Sequence, residues 1–385
     1  MFHLKSVLIC ASRMSHILNF HIPYIESLRQ QGYSVDIAAE GAVPHPLTNR
    51  CYDMRFVKDP LSIQNIRTVS MLREIMLKNN YDIVISNSTL SGAAARTAAA
   101  MLGKSRPECV HISHGYMFDK GMNARSQIYR TIERLCAGVT DKLVVMNRED
   151  LILALRFRLG KRIFFTDGMG LDTEKFPPVS EDERKKCRMS FGASDDTMMF
   201  LCCGELSGRK NQALLIEAFD IFHRRHPDSL LLLAGNGGSK NELKMLVQKL
   251  ELDRNIRFLG HRTDMNILYR SSDVLLSASK MEGLPFNVLE ALYCGLPVIA
   301  SDIKGHRDLI DKNCGMLFRI DAHGAEGAAK AMAEVSDNKN LHSALKSGSH
   351  LDEKYYIQSV RPKLLSVITR QKPAAKTAAR KEYSK

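Results

Sequence analysis

At 385 residues, 44% hydrophobic and 25% charged, the chain has the length of two ordinary domains and the composition of a soluble globular protein. No apolar run reaches the ~20 residues of a membrane span. The first twelve residues enter a strand-like run without the long apolar segment and cleavage site of a signal peptide, so a cytoplasmic protein is expected. The net charge of +13 suits an anionic lipid surface or a phosphorylated substrate. With no basic helix interleaved with aromatics, no nucleic-acid partner is expected. The nine cysteines are scattered without CxxC spacing and read as buried free thiols, not a zinc site.

Along the chain, short apolar runs alternate with amphipathic stretches. Strands are expected at residues 6–12, 34–40, 82–88, 109–113 and 142–147, and again at 198–205, 229–236, 256–260, 273–279, 297–302 and 316–319. Helical patterns lie between them, as at 22–30, 211–225 and 241–250. The alternation predicts an α/β protein with helices on both faces of parallel sheets. The near-continuous apolar character of the strands predicts that both faces are covered. A polar segment, 177–196, separates the two groups; it holds Pro177-Pro178, a charge run from Glu181 to Arg188, and Gly192. It reads as a linker leading into a short helix. The expected organisation is two doubly wound, Rossmann-like domains, 1–176 and 196–350, facing a cleft, with ligands beyond the carboxyl ends of the strands. Residues 354–370 read as a helix that packs back on the first domain. Residues 371–385, with Lys372, Lys376, Arg380, Lys381 and Lys385 among alanines, read as a disordered tail suited to an anionic membrane surface.

Several strands of the second group end in loops suited to a nucleotide. The first runs Cys203-Gly204-Glu205-Leu206-Ser207-Gly208-Arg209-Lys210-Asn211. Arg209 and Lys210 stand at a helix start, where cations oppose the macrodipole; a bound diphosphate relieves that conflict. Others end Ala234-Gly235-Asn236-Gly237-Gly238, Leu259-Gly260-His261-Arg262 and Ala300-Ser301-Asp302-Ile303-Lys304-Gly305. The most informative segment is Glu282-Gly283-Leu284-Pro285-Phe286-Asn287-Val288-Leu289-Glu290. Pro285 suits the first helical position and Gly295 the C′ position. Helical spacing sets Asn287, Glu290 and Cys294 on one face, with Glu290 aimed away from the buried side. Glu282 alone would be explained by pairing with the helix dipole, worth ~0.3–1 kcal/mol. With Glu290 and four other loops, a ligand site is the better reading: backbone N–H groups for an anion, carboxylates for hydroxyls.

This second half resembles the donor-binding domain of retaining glycosyltransferases with the GT-B fold, glycosyltransferase family 4. The signature is a glutamate, seven residues and a second glutamate, here Glu282 and Glu290, then Cys294-Gly295-Leu296-Pro297-Val298. The first half resembles the capsule and exopolysaccharide subset of that family, through Ser15-His16-Ile17-Leu18-Asn19-Phe20-His21-Ile22-Pro23-Tyr24, Ser113-His114-Gly115-Tyr116 and Gly168-Met169-Gly170-Leu171-Asp172. The resemblance implies that Glu290 holds ribose hydroxyls and Glu282 those of the donor sugar. Gly283, Leu284, Pro285, Phe286 and Asn287 would face the sugar and diphosphate. Arg209 and Lys210 would neutralise the leaving diphosphate, Gly204 and Asn236 would line the donor site, and the backbone near His261 and Arg262 would read the base. His114 would touch the donor sugar near its reacting carbon, and His16 and His21 would meet the acceptor.

The implied activity is transfer of a sugar from a UDP-sugar to a hydroxyl of a glycan or polyprenyl-linked acceptor, with retention, without metal or cofactor. Two departures stand out. The family often has an arginine directly after the first loop's glycine, where this chain has Glu205. Many relatives carry a histidine pair near Ser86-Asn87-Ser88, where this chain has none. Two other readings remain: a nucleotide-sugar epimerase on the same architecture, and a non-catalytic nucleotide-sugar-binding subunit. Turnover of donor without acceptor would mark the first; donor binding without transfer would mark the second.

Overall fold

The computed structural model describes residues 5–57, 62–119 and 124–369, so the basic segment 371–385 lies outside the described residues. The chain divides into two compact units. The first comprises residues up to Gly170 together with those from Gln358 on; the second is Leu171–Ile357.

The first unit carries strands β1 (Ser6–Arg13), β2 (Ser34–Glu40), β3 (Arg50–Asp53), β4 (Ile83–Asn87), β5 (Glu108–Ile112), β6 (Lys142–Val145) and β7 (Arg162–Phe165). They form one sheet, in the order β3-β2-β1-β4-β5-β6-β7, with every pairing parallel. The second unit carries β8 (Met198–Cys203), β9 (Ser229–Ala234), β10 (Ile256–Gly260), β11 (Val274–Ser277), β12 (Val298–Ser301) and β13 (Gly315–Phe318). Their order is β10-β9-β8-β11-β12-β13, again all parallel. Parallel neighbours need crossover helices, which cover both faces and leave the central strands fully buried. Thus Val7 to Ala11, Met199 to Leu201 and Val274 to Leu276 have no more than trace exposure. In the second unit Phe200, Phe219 and Phe222 interlock beneath helices Gln212–His223 and Gly324–Asp337. Each such side chain contributes about 1.5–3 kcal/mol of burial. In each sheet the strand order reverses once, between β1 and β4 and between β8 and β11. Those are the points where open α/β sheets leave a crevice at the carboxyl edge.

Three features differ from the sequence reading. Strands β3 and β7 are absent from it. Both are four-residue edge strands with exposed first and last residues, so neither offers a long apolar run. The segment 177–196 is no free linker. Ser180 forms a capping box with Glu183 at the start of helix Glu181–Ser190. Arg188 from that helix is 1% exposed and donates to Ser194 O, Thr197 O and Ser271 O while pairing with Asp273. A buried cation inside the charge run ties it into the second unit, which starts at Leu171, not near residue 196. Finally, helix Phe286–Tyr293 begins one residue later than expected. Pro285 has ψ 117°, an extended value, and so is the N-cap residue, not the first helical one.

At the other end, helix Ile357–Thr369 falls almost wholly in the first unit, where Lys142 Nζ donates to Ile368 O at 3.2 Å. No helix among the described residues is long and apolar enough to cross a membrane. All nine cysteines are free; seven are buried, and Cys51 and Cys187 half-buried.

Candidate active site

The carboxyl edge of the second sheet is assembled from backbone. Gly204 follows β8 and Gly235 follows β9, with φ of +142° and +144°. A side chain at Gly235 would put its Cβ 1.9 Å from Gly204 O, so only glycine allows the two turns to meet. Gly204 N donates to Ala234 O, Leu206 N to Asn236 O and Gly235 N to Gly260 O, at 2.9, 3.0 and 2.7 Å. Three loops named in the sequence reading are therefore one unit of structure. The β12 loop joins them from the other side: a Cβ at Gly305, φ +85°, would lie 2.6 Å from Gly283 O.

On this frame sits a compact charge cluster. Glu282 Oε1 accepts from Lys210 Nζ at 2.8 Å and from Arg209 Nη1 at 2.9 Å. Arg209 Nη1 also reaches Met281 O at 3.0 Å, and Lys280 N donates to Arg209 O at 2.9 Å. Burial alone would raise the Glu282 carboxyl, but Lys210 and then Arg209 outweigh it and hold it below the usual carboxylate value. Two cations share one carboxylate, so the cluster keeps a net positive charge ahead of helix Gln212–His223. That is the polarity an anionic diphosphate requires.

Glu290 behaves differently from Glu282, and differently from the sequence reading. It is half-buried rather than turned to solvent, and the buried Tyr269 hydroxyl donates to its Oε2 at 2.6 Å. Burial lifts its carboxyl to about 7, with Tyr269, Lys175 and Lys210 opposing the rise only in part. The helix positions Glu290 because Val288, Leu289, Ala291 and Leu292 anchor the opposite side in the core. One turn earlier, Asn287 Nδ2 donates to Cys203 O at 3.3 Å and fixes the helix to the end of β8. Leu284 and Pro285 are buried beside it.

Asn236 and His261 are exposed at the same sheet edge. Arg262 makes a two-pronged pair with Asp264, at 2.8 and 2.5 Å, so two of its guanidinium nitrogens are already engaged. Two residues of this unit escaped the sequence reading. Tyr269 has no local motif; its place against Glu290 arises from helix Met265–Ser271 crossing the strand ends. His306 is fully buried between Ser277 Oγ at 3.2 Å and Ser301 O at 2.8 Å, and burial holds its imidazole down to about 4. It follows Gly305 directly, and that glycine was the available signal.

The first unit gathers a second constellation. His16 lies in helix Met14–Phe20 after β1, His21 caps that helix, and His114 follows β5. His16 Nε2 and His114 Nε2 are 3.2 Å apart, and His114 Nε2 is 3.1 Å from Asn87 Oδ1 at the end of β4. Burial brings the His16 imidazole down to about 4. Burial, then His16, bring His21 down to about 3 against a partial lift from Asn87. Burial and the charges of His16, His21 and His111 put His114 well below its ordinary value. All three are neutral at physiological pH. His16, His21 and His114 belong to the first unit; the donor-loop residues belong to the second.

Comparison with known proteins adds the family. The model of glycosyl transferases group 1 matches residues 183–350, and that of Glycosyltransferase Family 4 matches residues 24–160. The chain is similar to a Bacillus subtilis (strain 168) protein named glycosyltransferase EpsD, with 32% identity over 82% of this chain and 84% of the relative. It is also similar to the UDP-Gal:alpha-D-GlcNAc-diphosphoundecaprenol alpha-1,3-galactosyltransferase of Escherichia coli, with 29% identity over 73% of each. Among solved structures, Anabaena HepE in complex with UDP and glucose shares the fold, with TM-score 0.74, 15% identity, and 96% of this chain and 100% of that one covered. The chain belongs to family 4 of the GT-B glycosyltransferases, enzymes that draw on a nucleotide-sugar donor.

Proposed function

We propose that this glycosyltransferase moves a sugar from a UDP-sugar to a hydroxyl of a glycan or polyprenyl-linked acceptor, with retention, in the synthesis of a bacterial surface polysaccharide. The cationic pair held on Glu282, with Glu290 on the neighbouring helix, is the observation that carries the reading. UDP is favoured by the names of two proteins like this one: the Escherichia coli relative uses UDP-Gal, and HepE is seen with UDP. The same relative's name specifies a diphosphoundecaprenol acceptor, which supports a lipid-linked one here and a place at the cytoplasmic face of a membrane.

In this reading Glu290 accepts from the ribose hydroxyls and Glu282 from donor-sugar hydroxyls. The bond from the anomeric carbon to the diphosphate oxygen breaks as Lys210 and Arg209 neutralise the departing charge; such preorganised stabilisation is usually the largest catalytic contribution. The acceptor oxygen forms its bond on the same face of the sugar, and its proton passes to the leaving phosphate oxygen. Glu282, already salt-bridged to both cations, is a clamp on hydroxyls and not a covalent nucleophile. The cations take the place of a metal in neutralising the diphosphate, and no cofactor is required. His114 contacts the donor sugar, and His16 and His21 contact the acceptor.

A thermal-shift screen across UDP-, GDP- and ADP-sugars tests the donor, followed by transfer of labelled sugar to a polyprenyl diphosphate glycan. The expected result is stabilisation by UDP-sugars and an acceptor-dependent product. Isomerisation of the donor without acceptor, or stabilisation by GDP-sugars alone, would contradict it.

A further inference from the structure

We propose that His16, His21 and His114 form a binding site for one transition-metal ion of the zinc class, which inhibits transfer rather than supporting it. The three residues each offer a ring nitrogen, and these atoms all lie within 4.8 Å of one another. Zinc–imidazole bonds of about 2.1 Å in a tetrahedral array place ligand nitrogens about 3.4 Å apart. The His16–His114 pair already stands at 3.2 Å. His21 is 2% exposed, and its buried Nε2 makes no hydrogen bond of proper geometry, the Asn87 side chain nearby giving it only a partial partner. A poorly paired buried ring nitrogen is unfavourable, and an ion supplies what it lacks.

The ligand chemistry selects the ion. Neutral imidazoles suit zinc, cobalt, nickel and copper, whereas calcium and magnesium prefer oxygen donors. Three imidazoles leave a fourth position open. The scaffold is rigid. His21 N is bonded to Ile17 O at 2.8 Å, and Asn87 Nδ2 is anchored to Cys10 O at 3.2 Å. On binding, His114 Nε2 presents its lone pair, and Asn87 Oδ1 is left to accept from water in the open position. Inhibition rests on the proposed contact of His114 with the donor sugar, since an ion on His114 Nε2 competes with it for the ring. Metal binding itself does not depend on that contact.

Cobalt titration of the purified full chain, read by visible d–d absorption and followed by zinc competition, tests the site. The expected result is one equivalent of tetrahedral cobalt, displaced by zinc. His16→Ala and His21→Ala should each weaken it by at least the about tenfold that loss of even an outer-shell partner causes. His21→Gln, which keeps a polar side chain of similar reach, should also lose the ion and should keep its thermal midpoint without metal. His226→Ala, at a half-buried histidine of the second unit, should leave the cobalt spectrum unchanged. Absence of cobalt bands, or bands that survive His16→Ala with His21→Ala, would overturn the site. Zinc that binds but leaves sugar transfer unchanged, with or without EDTA, would overturn the inhibitory role.

Discussion

Glu290 and Glu282 are the same residue type in one short segment, yet their surroundings drive them in opposite directions. Glu282 is held ionised by Lys210 and Arg209. Glu290 is lifted to about 7 by burial, with the Tyr269 hydrogen bond opposing the rise only in part. A folded-state value above the ordinary carboxyl means that folding favours the protonated form; that contribution is present below about 4.5 and is lost as pH rises through about 7. If ribose hydroxyls donate to the ionised form, as proposed, UDP binding should expel a proton and weaken about tenfold per pH unit below 7. Calorimetry between pH 6 and 8 in two buffers of different ionisation enthalpy checks both. Glu290→Gln should remove the protein's share of that dependence. Tyr269→Phe should move it to higher pH, because the carboxylate loses a donor. Lys210→Ala should lower kcat about 100-fold with a smaller change in UDP affinity, because its interaction strengthens as the diphosphate leaves. The glutamate pair was legible in sequence because both members lie in one contiguous segment. Tyr269 was not: it meets Glu290 twenty-one residues away, across two helices, and no local spacing encodes that meeting.

Elements were legible to the degree that both of their faces are buried. The central strands are continuous apolar runs and stand where expected, whereas β3 and β7 are four-residue strands with exposed ends and one neighbour each. Charge runs mislead in the same way. The stretch around Glu181 to Arg188 looks solvated, yet Arg188 is the link between helix Glu181–Ser190, the start of β8 and the segment before β11. Arg188→Ala removes a donor from three carbonyls and from Asp273, which still accepts from Met199 N, and should destabilise the second unit by about 1.5–3 kcal/mol in urea titration. In the first unit, Asp141 accepts from both Arg106 nitrogens, at 2.6 and 2.8 Å, and from Cys109 N at 2.9 Å. Burial would raise its carboxyl, but Arg106 and the backbone hold it well below the ordinary range. Its stabilisation is therefore present above the ordinary carboxylate value and is lost as pH falls. Asp141→Asn should cost about 1.5–3 kcal/mol at pH 7 and flatten the acid side of the stability profile.

For the molecule as a whole, strand–helix alternation gave the two-unit α/β plan, because parallel pairing leaves few other ways to connect the strands. In both units the chemically loaded residues collect at the carboxyl edge beside the strand-order reversal: His114 and Asn87 near β1 and β4, Lys210 and Glu282 near β8 and β11. Family membership follows from relatives that span most of the chain. Isothermal titration of UDP into the wild-type chain and into Glu290→Ala probes the choice of UDP together with the role of the Glu282–Glu290 segment. One UDP should bind per wild-type chain, with affinity at least about tenfold weaker in the variant, the scale of losing a charge-assisted hydrogen bond of about 1.5–3 kcal/mol. Equal affinity in the two proteins, or no UDP binding in either, would contradict that reading.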